Sequence, residues 1–164
     1  MPGLPEFLAW IEGSTLGDLM RESGVWTYGI VNLGHILGIS SLFGSLLILD
    51  LHLLGLWRRV PLAALSRATV PVAQVGFALA AVSGICMLST NGTEYIGNPF
   101  LLIKFPAIGF GLVNVWVLSL LPAWRTREER EPSGTERVHL AIAGGVSLVS
   151  WLTAIVAGRM IGYW

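Results

Sequence analysis

Charge is scarce in this chain and cysteine almost absent: 12% of its 164 residues are charged, and Cys86 is the one cysteine. A single thiol excludes an intramolecular disulfide and any iron–sulfur or Cys-rich metal cluster held by this chain alone. The formal net charge is zero, which removes the basic footprint that nucleic-acid binding requires. There is no Walker loop, no GxSxG and no HExxH, so no familiar nucleotide or hydrolytic chemistry is indicated. No internal repeat, low-complexity tract or second domain is visible. The opening "MPGLPEFLAWIEG" lacks a basic n-region, and a cleaved signal peptide is not expected.

What the chain has instead is apolar surface. Hydrophobic residues make up 54% of it and the mean hydropathy is +0.70, far from the composition of an average soluble domain. A hydrocarbon core takes about 20 helical residues to cross, and four stretches qualify: Val25–Leu49, Val70–Leu88, Pro99–Leu121 and Val138–Ile161. The first apolar run continues to Trp57 and predicts a helix that outlasts the core. Asn98-Pro99 reads as a cap with proline at the first helical position, Pro122 closes that helix, and Ser133-Gly-Thr-Glu136 has capping-box spacing. Pro106 lies within the third span and predicts a kink that frees the carbonyl of Leu102.

Arginine sets the orientation. Arg58, Arg59 and Arg67 lie between spans one and two, and Arg125, Arg127, Arg130 and Arg137 between spans three and four. The loop "NGTEYIGNP" has none. The positive-inside rule then puts both basic loops in the cytoplasm and both termini on the outer side. The N-terminal segment Leu4–Glu22 is too polar to span and predicts an interfacial helix. Trp10, Trp26, Tyr28, Trp57, Trp124, Tyr163 and Trp164 fall near span ends, as an aromatic belt does. The expected fold is all-α: one transmembrane domain over residues 1–164, a four-helix bundle in the lipid bilayer with an N-terminal interfacial helix. Small residues at intervals of four (Gly76, Ala80, Gly84; Ser40 with Gly44; Ser41 with Ser45; Ala141 with Gly145) predict close helix approach, or space for a flat cofactor.

An ionisable group inside a span is costly and marks a candidate site. His35 lies on the order of 13 Å in from the outer side at 1.5 Å per residue, too deep to reach water. Gly34 and Gly38 would open space beside its ring. As a structural residue it would hydrogen-bond a neighbouring helix; as a functional one it would ligate a metal or haem iron. Lys104 is roughly 7–8 Å below the same surface. It either snorkels outward or turns inward toward the level of His35, to meet a carboxylate, a propionate or the carbonyl freed by Pro106. Arg159 could add a second cation to that outer-half cluster. Asp50 and His52 are rotated about 60° and about 100° from His35 in opposite senses, so the three form no single stripe. Asp50 is expected to pair with Arg58 or Arg59. His52 and His139 lie at similar depth near the cytoplasmic side, as metal candidates for an inner haem or as surface histidines. Asn114 and Gln74 are expected to bridge helices.

The segments "GHILGISSLFGSLLILDLHLLGLWRR", "GFALAAVSGICML" and "NPFLLIKFPAIGFGLVN", in that order, resemble an uncharacterised family of small bacterial four-helix membrane proteins. More distantly they are similar to the membrane domains of CopD copper-resistance proteins and to HemJ-type protoporphyrinogen oxidases, which bind haem b. The resemblance runs from Val25 to Trp116 by pattern. It implies a multi-pass protein of the bacterial inner (cytoplasmic) membrane. In the HemJ type a histidine early in the first core helix and a lysine early in a later one are functional, and His35 and Lys104 match them by order and depth. After His35 the chain departs from that family: "ISSLFGSLLILDLHLLG" stands where a tryptophan and a proline–arginine pair are expected. The resemblance therefore carries a haem site further than it carries oxidase activity.

These readings converge on a b-type haem-binding protein for electron transfer, with His35 as axial ligand and Lys104 and Arg159 near the cofactor. Its expected partners are the subunits of a larger membrane redox complex or further copies of itself. Two alternatives stay open: CopD-like copper handling along His35, Cys86 and Met87, and a cofactor-free membrane assembly subunit.

Overall fold

The computed structural model describes residues 3–164, and among them every regular element is helical. The elements are α1 (Leu4–Glu12), α2 (Thr15–Glu22), α3 (Gly24–Leu53), α4 (Leu62–Thr90), α5 (Pro99–Leu120), α6 (Pro122–Arg125) and α7 (Gly134–Met160). Short 3₁₀ turns cover Gly92–Tyr95 and Ile161–Tyr163. Helices α3, α4, α5 and α7 are each long and apolar enough to cross a membrane.

The local signals explain where these helices begin and end. Asn98 caps α5 by accepting from the Phe100 amide at 3.0 Å, with Pro99 at the first helical position. Ser133 and Glu136 form the capping box of α7. Helix α3 ends earlier than its apolar run. The amides of Gly55 and Leu56 bond back to the carbonyls of His52 and Leu51 at 2.9 and 3.0 Å, and Gly55 adopts φ 109°. This is the Schellman arrangement, which needs a residue tolerant of positive φ. Helix α4 begins at Leu62, well before the expected span at Val70, because Leu62, Ser66 and Thr69 are buried despite the intervening Arg67. Pro71 thus lies inside a helix, where its ring displaces one backbone hydrogen bond.

The long helices pack as two antiparallel pairs, α3 with α4 and α5 with α7, and contacts between α3 and α7 join the pairs. Glycine sets the approach in each case. A Cβ on Gly76 would lie 2.5 Å from the Leu42 amide nitrogen, and one on Gly38 would lie 2.6 Å from that of Ala80. A Cβ on Gly144 would fall 2.9 Å from the Cβ of Leu53. Gly111 leaves room for the Trp151 indole, which also meets Phe77 edge-on with centroids 6.1 Å apart.

One end of the bundle, called here the arginine-rich end, carries the α3–α4 turn and α6. The termini and the α4–α5 turn share the other. Two apolar clusters fill the middle and the arginine-rich half. Leu42, Leu46, Ala73 and Trp151 form one; Leu49, Leu53, Leu62, Leu118, Leu140 and the alanines beside them form the second. In contrast, no residue of α3 from Gly24 to Leu37 is buried. Helices α1 and α2 dock on the end of α4 and the turn after it. Arg21 donates to the carbonyls of Thr90 and Glu12 at 3.1 and 2.9 Å, and the Thr93 amide donates to Glu12 at 2.6 Å. That amide holds the Glu12 carboxyl below its ordinary value.

Candidate functional site

His35 leaves α3 on the side facing α4, in the half of the bundle nearer the termini. Its Nδ1 lies 2.9 Å from the Ala80 carbonyl oxygen and 3.0 Å from Ser83 Oγ. Ser83 donates its own proton to the Leu79 carbonyl at 2.5 Å. A backbone carbonyl can only accept, so Nδ1 carries the hydrogen and donates it. Nε2 then holds the lone pair of the neutral ring. It has no hydrogen-bond partner among the described residues, and it is not among their buried unpartnered atoms, so it is not sealed off by packing. The ring lies on the bare Cα of Gly84: a Cβ there would be 3.0 Å from Cε1 and 4.0 Å from Nε2. Gly38 is occupied by the backbone of α4, and the room that the imidazole itself fills comes from Gly84 instead.

Lys104 lies on α5, with its methylene chain along Gly158 of α7, 3.4 Å from where a Cβ would stand. The side chain is half-buried and has no carboxylate partner among the described residues. Arg159, one residue beyond Gly158, is exposed and turns to Tyr163, donating to the phenol at 2.5 Å with its guanidinium carbon 4.8 Å from the ring centre. His35 and Lys104 thus lie in the same half of the bundle, His35 against Gly84 and Lys104 against Gly158, while Arg159 keeps to its own aromatic partner.

The histidines toward the arginine-rich end are placed apart. His52 lines a cleft of about 380 Å³ between the end of α3 and the start of α7, and its Nδ1 is buried without a partner. His139 is exposed and lines a separate cleft of about 270 Å³ with Asn114 and Leu121. Asp50 does not pair with arginine as expected. It is buried to 3% exposure facing α7, beside the Ser147 hydroxyl, and its Oδ2 has no partner. Arg58 instead turns back to the Gly55 carbonyl at 3.1 Å. Asn114 bridges α5 and α7, donating to the Ala143 carbonyl at 2.9 Å, whereas Gln74 is exposed and bridges nothing.

Sequence reasoning missed Ser83 and the Ala80 carbonyl as partners of the imidazole. The stripe of Gly76, Ala80 and Gly84 did mark the face of α4 they occupy. Among the described residues no group of three or more His, Cys, Asp or Glu side chains gathers as a metal cluster. No protein-family model, curated protein or solved structure matches the chain.

Proposed function

We propose that this chain is a multi-pass protein of the bacterial inner membrane that binds b-type haem through His35 and carries electrons within a larger membrane redox complex. The observation that supports this most strongly is the state of one imidazole. Donation from Nδ1 to a backbone carbonyl fixes the ring and its tautomer, the partner arrangement typical of metal-ligating histidines, and leaves Nε2 as the free donor atom. Two features add to it. Gly84 gives the ring room at its Cε1 edge, and no residue of α3 from Gly24 to Leu37 is fully buried by helix packing. Haem would supply the one-electron couple. The chain's part is to hold the ligand, limit water and place the Lys104 charge near the propionates or iron, which favours the reduced state. Arg159, exposed and turned to Tyr163, adds no support to this reading.

The orientation follows the same reading. Arg58, Arg59, Arg67, Arg125, Arg127, Arg130 and Arg137 all belong to one end of the bundle, which supports a cytoplasmic assignment for that end and outer termini. Trp10 and Leu19 are 69% and 61% exposed on α1 and α2, as suits helices lying along the outer interface.

Titrating the purified protein with haemin tests the reading. A Soret band that saturates at one haem per chain, and fails to form in His35→Ala, is expected. Stoichiometric copper in place of haem would favour copper handling, and no binding of either would favour the assembly-subunit role.

A further inference from the structure

The cleft at the arginine-rich end is built around two guanidinium groups. The Schellman turn that ends α3 exposes the Gly55 carbonyl, and Arg58 donates to it through Nε at 3.1 Å. Gly55 is also what lets the guanidinium settle there, since a Cβ would lie 2.8 Å from Arg58 Nη2. Across the cleft, Arg137 is held in the same way, with Nε donating to the Pro132 carbonyl at 3.0 Å. The ion pairs of the described residues join Arg21 to Asp18, Arg67 to Glu128 and Arg130 to Glu136, so neither cleft arginine is neutralised by a carboxylate. Each therefore presents its Nη groups unpaired, already oriented by the protein. His52 also lines the cleft. The remaining wall is apolar, with Leu54, Leu62 and Val138 among the lining residues.

We propose that this cleft binds the phosphate group of an anionic phospholipid, clamped between Arg58 and Arg137 with its glycerol and upper acyl carbons against the apolar wall. Guanidinium suits phosphate because its planar fork donates two parallel hydrogen bonds. Basic pockets between membrane helices take anionic headgroups for the same reason. A free phosphate shares the anion chemistry but makes no use of the leucine and valine wall. Glu131 also lines the cleft, and its carboxylate opposes an incoming anion. The inference does not depend on haem binding.

Native mass spectrometry of the detergent-purified full chain, titrated with phosphatidylglycerol or phosphatidylcholine, tests it. Phosphatidylglycerol is expected to bind about tenfold more tightly. The Arg58→Ala, Arg137→Ala double variant loses that preference, Glu131→Gln strengthens it, and Arg59→Ala and Arg125→Ala, outside the cleft, keep it. Equal loss in the two outside variants would reduce the effect to general charge attraction and overturn the site. Competition by inorganic phosphate as effective as that of the lipid would overturn the lipid assignment. If the double variant does not fold, a photoreactive phosphatidylglycerol applied to the unaltered protein gives the answer. Label is expected between His52 and Arg58 and between Glu131 and Ala141, and label confined to other segments would refute the proposal.

Discussion

At the scale of single residues, the His35 ring is held by contacts of unequal weight. Ala80 offers a backbone carbonyl that no side-chain substitution removes, while Ser83 offers a hydroxyl that one does. Ser83→Ala is therefore expected to leave the tautomer intact and cost about 0.6 kcal/mol, the average for a hydrogen bond between membrane helices. Gly84→Val is more disruptive. Even its first carbon would stand 3.0 Å from Cε1, and the branched remainder forces the ring out of its place. Overpacking of this kind costs about 1–3 kcal/mol, and thermal unfolding in detergent measures both substitutions. His35 was legible in the sequence because a titratable group in an apolar run is conspicuous. Ser83 was not, because the pairing register of two apolar helices is written in packing shape rather than in residue type. Asp50 misled for a related reason. Its closeness to Arg58 in sequence suggested a pair, but the turn after Leu53 sends Arg58 back onto Gly55 and leaves the carboxyl facing Ser147.

At the scale of helices, glycine content alone does not tell which contacts are close. The stripe of Gly76, Ala80 and Gly84 does meet α3, but Gly44 has nothing within 4 Å and Gly145 meets only a leucine methyl at 3.8 Å. Gly38 and Gly144, outside the repeating pattern, approach their neighbours about as closely as Gly76 within it. Alanine substitution separates the two kinds. Gly76→Ala places a methyl against the α3 backbone and lowers stability by about 1–3 kcal/mol. Gly44→Ala meets no obstruction and raises it by about 0.5–1 kcal/mol, the helix-propensity gain of alanine. Parallel melts of the two proteins check this, and equal effects would remove glycine from the account of α3–α4 packing. The four long helices themselves were readable from hydropathy and capping. Their ends were less so: α4 starts in a polar stretch that tertiary burial makes helical, and α3 stops at a glycine turn before its apolar run is over.

At the scale of the whole molecule, charge pairing is concentrated at the arginine-rich end, and it makes stability depend on pH. Glu128 accepts from Arg67 at 3.2 and 2.7 Å, which joins the loop before α7 to α4. That hydrogen bond, with the arginine charge, holds the Glu128 carboxyl below its ordinary 4.5. A depressed folded-state value means the contribution is complete above the unfolded value and is lost as pH falls through the folded one. Melting temperature is therefore expected to drop as pH falls below about 4.5, with a shallower drop in Glu128→Gln. Identical slopes would show that the pair adds nothing. The central claim concerns the opposite half of the bundle, which holds the unprotonated nitrogen of His35 and the charge of Lys104. Its most direct test is the dithionite-reduced minus oxidised spectrum of protein purified from haem-replete cells. The account predicts Soret and α bands in the wild type that disappear in His35→Ala, and a lower midpoint potential in Lys104→Gln. A colourless wild-type protein, or bands that persist unchanged without His35, would contradict it.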